Sequence, residues 1–166
     1  PYLAQARQYD VQPRFVLFGG LVFQPLSSSF YSVLQTKSVN LRYHYAQFLD
    51  KELYLRHPEV VVISKILPDP INAHLKRFVL TIVDQINGVQ VKTLEDVAAA
   101  FAKPSEFYVI RVVGDPQPLV LEGRVAAEAR RRIRERYGVV RESHLADDIV
   151  PPEWLANRPV RGAGKK

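Results

Sequence analysis

The stretch Val83-Asp84-Gln85-Ile86-Asn87-Gly88-Val89-Gln90-Val91-Lys92-Thr93-Leu94-Glu95-Asp96-Val97-Ala98-Ala99-Ala100-Phe101 spells strand, tight turn, strand and capped helix within nineteen residues. Asn87-Gly88 lies between two alternating apolar runs, and both residues tolerate the positive φ that a two-residue hairpin turn demands. Thr93 is placed to cap the helix that follows. Its hydroxyl can accept from the amide of Asp96, whose carboxylate can return the bond and also suits the positive end of the helix dipole. Leu94 and Ala98 then share one helix face, while Val97 and Phe101 share a neighbouring one. The pattern predicts a helix packed on one side.

Working outward, Arg14-Phe15-Val16-Leu17-Phe18-Gly19-Gly20-Leu21-Val22-Phe23-Gln24-Pro25 is a β-favouring run interrupted by a glycine pair, hence two extended pieces around a loop. Pro25 and the serines Ser27 to Ser29 mark a break. From about Ser38 to Leu55, Leu41, Tyr45, Phe48, Leu49, Glu52 and Leu53 recur at helical spacing. Glu59 to Leu67 reads as a buried strand ended by Pro68-Asp69-Pro70, and Ile71 to Phe78 as a short helix. Phe107 to Val113 alternates as a strand, Gly114 to Gln117 turns, and Pro118 to Leu121 returns as a second hairpin. Arg124 to Tyr137 places Val125, Ala129, Ile133 and Tyr137 on one stripe, with Gly138 as the C-terminal stop. Separated strands with two or three helices and no regular βαβ alternation predict an α+β domain or small partly open barrel.

At 166 residues and 47% apolar composition, the chain fits one domain with appendages. The expected division is a linker over residues 1–13, a domain over 14–145 with an insertion over about 27–59, and a Pro-, Gly- and Lys-rich flexible tail over 146–166. The absence of Cys excludes disulfides, thiolate metal sites and a Cys nucleophile, and leaves the compartment undetermined. No apolar run approaches the ~20 residues of a membrane helix, so a soluble piece is expected. Because the chain starts at Pro1 and contains no Met, it is expected to be a fragment of a longer protein.

The glycines of Phe18-Gly19-Gly20-Leu21 let the chain turn sharply, which can expose successive backbone amides to a carboxylate. If the following strand had a free edge, a peptide could add alongside it by backbone pairing. A glycine-relieved bend within a strand is the other reading.

Joined together, this loop, the run Val-Ile-Ser-Lys-Ile-Leu-Pro-Asp-Pro-Ile-Asn, the Asn87-Gly88 hairpin with its helix, and the ending Leu-Val-Leu-Glu resemble a PDZ domain of the HtrA/Deg (Do-like) serine proteases. The match is closer to the additional, C-terminal PDZ-like domain of the Deg branch, over about Arg14 to Leu145. The resemblance implies a PDZ-like fold in which the loop binds a peptide C-terminus and the helix walls the groove. The implied peptide-binding residues are Phe18, Gly19, Gly20 and Leu21 in the loop, Val22 and Phe23 in the binding strand, and Leu94 and Ala98 on the helix. Implied partners are a peptide or protein segment, an upstream protease domain and sister subunits, with assembly or substrate access under control and no cofactor. A groove covered by the insertion, leaving a purely structural oligomerisation module, is the alternative. Two departures stand out. Arg77-Phe78-Val79-Leu80 replaces the usual Gly-Asp before the strand that leads to the Asn-Gly turn, and Ser27 to Glu59 is a long insertion.

The residues themselves argue against catalysis in this chain. No serine has the adjacent glycine of a trypsin-like nucleophile, and none lies in a strand-to-helix elbow. His44, His57, His74 and His144 lack the helical spacing of a metal pair, and Gly162 to Lys166 lacks the hydroxyl and helix of a phosphate loop.

The formal charge of +6 is concentrated in residues 124–141, where seven Arg and two Glu give +5. Arg130, Arg131, Arg132, Arg134 and Arg136 could form a phosphate-binding patch. Glu128 with Arg132, and Arg131 with Glu135, are instead spaced as helix ion pairs, and no aromatic stacking platform accompanies them. A solvated or protein-contacting face is therefore favoured over nucleic acid, with acidic surfaces of sister subunits as partners.

Overall fold

The computed structural model describes residues 13–27, 30–32, 37–51 and 57–146, and the compact unit is Arg14–Leu145. The expected linker and tail lie outside the described residues, apart from Pro13 and Ala146. Two four-stranded antiparallel sheets build the unit, with no closed barrel. The first has the order β3 (Val61–Ile66), β2 (Leu21–Pro25), β1 (Phe15–Phe18), β8 (Ser143–His144). The second has the order β5 (Val89–Gln90), β4 (Val83–Ile86), β6 (Phe107–Val112), β7 (Leu119–Glu122). A bridge between Val62 and Ile82 joins them, with Ile63 N–H donating to Thr81 O at 3.0 Å.

The opening stretch folds as its sequence requires. Val89 and Gln90 pair back on Ile86 and Gln85 across Asn87 (φ 49°) and Gly88 (φ 79°). Asn87 also ties the turn to β6, because its backbone N–H donates to Val109 O and its side-chain oxygen accepts from Val109 N, each at 2.8 Å. Helix α2 (Leu94–Ala102) carries a full capping box, with Asp96 N donating to Thr93 Oγ1 at 3.3 Å and Thr93 N to Asp96 Oδ2 at 3.0 Å. Glu59 adds a cap from a distant strand, its Oε2 accepting from Leu94 N at 2.9 Å. Because Asp96 and Glu59 still hold their amides, Thr93→Ala is expected to cost only about 1 kcal/mol, read as a shift of the urea midpoint.

Val60 to Ile63 is a continuous apolar run because both faces of the chain are buried there. Val61 and Ile63 join the main core with Leu21, Phe23, Ile86, Leu94 and Ile110, while Val60 and Val62 face a second cluster. That second cluster is closed by α1 (Val39–Asp50), whose Leu41, Tyr45 and Phe48 pack there. Leu49, expected on the same stripe, is exposed; Glu52 and Leu53 lie outside the described residues.

Leu80, one of the four residues replacing the usual Gly-Asp, adopts φ 63°. An L-residue there is strained by about 1–2 kcal/mol. Its backbone N–H donates to Ile63 O at 2.7 Å, and its side chain packs into the α1 cluster, which offsets the strain with apolar burial that glycine would lack. The short helix expected over Ile71 to Phe78 is a 3-10 helix, Pro70–Phe78, and the C-terminal helix α3 spans Gly123–Tyr137 with Gly138 at φ 61° as its stop. Ala126, Ala129 and Ile133 are its buried residues; Val125 and Tyr137, expected on the same stripe, are only half-buried. Among the described residues no helix is long and apolar enough to cross a membrane.

Candidate functional site

Phe18-Gly19-Gly20-Leu21 is a hairpin, with Phe18 paired to Leu21, Leu17 to Val22 and Val16 to Phe23. Gly19 and Gly20 form its two-residue turn at φ 56° and 83°. The turn is fixed from below by Asn72, whose Nδ2 donates to Gly19 O and to Leu67 O, each at 2.9 Å. Gly20 O accepts from Leu67 N at 2.7 Å. The glycines thus present carbonyls to a packed strand and helix.

The register of β2 corrects the expected strand-addition mechanism. One edge of β2 is paired with β1 and the other with β3, so Leu21 to Phe23 has no free edge for an added strand. β1 occupies the edge along which a peptide would add, and α2 packs across the hairpin. The Phe18 ring stacks on Phe101 with centroids 4.1 Å apart and planes 5° apart, and meets the edge of Tyr108 at 4.7 Å. Cover of the groove by the insertion is the alternative. Among its described residues, α1 packs on Val60, Val62 and Leu80, and the segment filling the edge of β2 is β1.

The eight candidate residues therefore separate. Leu21, Phe23 and Leu94 are fully buried core side chains. Val22 is half-buried, and its carbonyl accepts from Ser64 Oγ at 3.2 Å. Phe18, Gly19, Gly20 and Ala98 do come together, along a groove of about 590 Å³. Its other walls are Phe101 and Ala102 from the end of α2, Tyr108 from β6, and Gly123, Ala126, Ala127 and Arg130 from α3. Sequence reasoning missed the α3 wall. The signal available was the small-residue run Gly123-Arg124-Val125-Ala126-Ala127, which leaves room beside a helix.

β1 is clamped at both ends. Arg14 Nε donates to Leu145 O at 2.7 Å, and its guanidinium also bonds the carboxylates of Glu59 and Glu95. Leu17 N donates to Glu142 O at 2.6 Å, and the Glu142 carboxylate accepts from Arg130 Nε at 2.7 and 2.9 Å. The hydrogen bond from Arg130 holds the Glu142 carboxyl below the usual carboxylate range, against the burial that pushes it up.

Electrostatics on α3 follow long-range partners more than helix spacing. Arg132, expected to pair with Glu128, instead donates to Asp69 through Nε at 2.8 Å and Nη2 at 2.7 Å. Glu128 pairs with Arg124 at 3.3 Å, and Arg131 pairs with Glu135 at 2.9 Å as expected. Asp69 caps the 3-10 helix in a reciprocal capping box with Asn72. With the Tyr137 hydroxyl donating to Pro68 O at 2.5 Å, these bonds connect α3 through Asp69 and Asn72 to the glycine turn.

Two antiparallel sheets bridged by a capped helix, with a glycine turn beside that helix, define a PDZ-type interaction fold. The chain belongs to the PDZ domain family, whose model matches residues 4–144. It is 36% identical over 95 residues to "Putative protease Do-like 3, mitochondrial" of Arabidopsis thaliana, covering 57% of this chain and 16% of that protein. It is 32% identical over 91 residues to "Putative protease Do-like 12, mitochondrial" of the same plant, covering 55% of this chain and 15% of that protein. Against the "Serine protease DegP homolog" of Plasmodium falciparum (isolate 3D7) it is 30% identical over 94 residues, covering 57% and 10%. The chain spans less than a fifth of these relatives, and what it matches is a PDZ domain of HtrA/Deg proteases.

Proposed function

We propose that this chain is a noncatalytic regulatory domain of a Do-like serine protease, controlling assembly or substrate access by contacting a sister subunit or another part of the protease. The observation that carries this reading is β1 on the edge of β2, with Phe18 stacked on Phe101. A domain whose peptide edge is filled by its own strand acts through its outer surfaces. Capture of a peptide along β2 would require β1 to leave, breaking the hairpin pairs and the Arg14 clamp together.

Two measurements test it. Titration of uncharged or basic peptides with free C-terminal carboxylates against residues 14–145 is expected to give no saturable binding; binding that Phe18→Ala strengthens would restore peptide capture. Light scattering and proteolytic rate of the longer parent, with and without this domain, should differ. A parent indifferent to its removal in both respects would reject a regulatory role.

A further inference from the structure

We infer that the exposed side of α3 and the turn after it form a docking surface for an acidic protein segment carrying aliphatic side chains. The inference rests on the reading of this domain as a protein-contacting module, and it names the partner's chemistry. A second groove, of about 810 Å³, lies along α3 on the far side of Arg130 and Arg134, and it shares these two residues and Ala127 with the groove beside Phe18. Its floor and walls combine Ala127, Arg131, Arg134 and Val140, with Glu135 as its one carboxylate.

Charge complementarity identifies the occupant. Residues 124–141 carry +5, whereas residues 1–123 carry +1. Arg132 and Arg130 are committed to Asp69 and Glu142; Arg134 makes no ion pair within 4 Å among the described residues, although its charge also favours the Glu142 carboxylate, and Arg131 is 87% exposed with only the surface partner Glu135 at 2.9 Å. Such a surface pair is readily exchanged for a partner's carboxylate. Val140 stands 86% exposed beside these arginines. The turn that leads to it is held, because the N–H groups of Gly138 and Val139 both donate to Arg134 O, the latter at 2.9 Å. An exposed aliphatic side chain in a groove lined mainly by guanidinium groups matches a segment that alternates carboxylates with Leu or Ile. Nucleic acid fits less well, since the residue offered between the cations is Val140 and not an aromatic ring on which a base could stack.

The test uses an N-acetylated, C-amidated peptide of Asp and Glu interspersed with Leu, so that no terminal carboxylate is read. It is titrated against the full chain by fluorescence anisotropy, beside the same peptide with Lys for each acid and a single-stranded oligonucleotide. Arg131→Glu combined with Arg134→Glu should weaken the acidic peptide by about a hundredfold, and Val140→Asp by about tenfold, with melting temperatures unchanged. If the double reversal fails to fold, Arg134→Gln and Val140→Asp singly carry the same test. No binding of the acidic peptide overturns the proposal. So does oligonucleotide binding as tight as the peptide's and indifferent to Val140→Asp, which would make the patch a general polyanion site. A parent whose assembly depends on this domain but survives these substitutions would remove the docking surface while leaving the regulatory reading in place.

Discussion

Gly20→Ala is expected to remove roughly 2–5 kcal/mol, a large part of the stability of a domain this size. Two effects add. At φ 83° an added Cβ meets its own backbone, at about 1–2 kcal/mol. That Cβ would also stand 2.3 Å from Asn72 Nδ2 and 2.7 Å from Leu67 O, and the second of these is backbone with nowhere to go. Displacing Asn72 breaks its bonds to Gly19 O and Leu67 O, leaving buried polar groups unpaired at about 1–3 kcal/mol. Gly88→Ala is the internal control. Its φ of 79° is nearly the same, yet nothing lies within 4 Å of the new Cβ, so only the conformational part, about 1 kcal/mol, is expected. Urea denaturation of the two variants separates backbone strain from packing. A Gly20→Ala variant no less stable than Gly88→Ala would mean that the turn is not locked to Asn72.

The contrast between those glycines shows what the sequence could convey. The Asn87-Gly88 turn, the Thr93 cap and the α2 faces were legible because each depends on residues within four positions of one another. The two extended pieces around Gly19-Gly20 were legible for the same reason. What occupies the edge of β2 is decided elsewhere, by Arg14 reaching Leu145 and by Phe18 meeting Phe101, contacts that leave no local periodicity. Burial of Leu21, Phe23 and Leu94 follows from the same enclosure. Arg132 fails in a parallel way. Helix spacing offers Glu128 as its partner, but Asp69, 63 residues away, has a fully buried carboxylate that only a guanidinium from α3 neutralises. A run of arginines on one helix therefore gives net charge correctly and free charge poorly.

That buried carboxylate makes the second large prediction. Asp69 has no exposed side-chain surface, accepts two charge-assisted bonds from Arg132, and accepts from Ile71 N at 3.3 Å as the cap of the 3-10 helix. Asp69→Ala loses the cap, about 1 kcal/mol, and the pair of charged bonds, about 2 kcal/mol, for a total of roughly 3 kcal/mol. Asp69→Asn keeps a capping oxygen and costs less, and its value lies in the pH dependence. The hydrogen bonds from Arg132 hold the Asp69 carboxyl below the usual range, outweighing the burial that pushes it up. The unfolded chain, with a carboxyl near the ordinary value of about 3.9, then binds its proton at higher pH than the folded protein does. The stabilisation is fully present above that ordinary value and is lost as pH falls through the lower folded value. Glu142 is depressed in the same direction, so the acid limb of the wild-type curve contains both groups. Subtracting the Asp69→Asn curve cancels Glu142 and leaves Asp69 alone. The difference in unfolding free energy between the two proteins should be constant from neutral pH down to about 5 and shrink steadily below about 4. A difference that stays flat into strong acid would show that the Asp69 carboxylate gains nothing from Arg132, and the link from α3 to the glycine turn would then rest on Asn72 and Tyr137 alone.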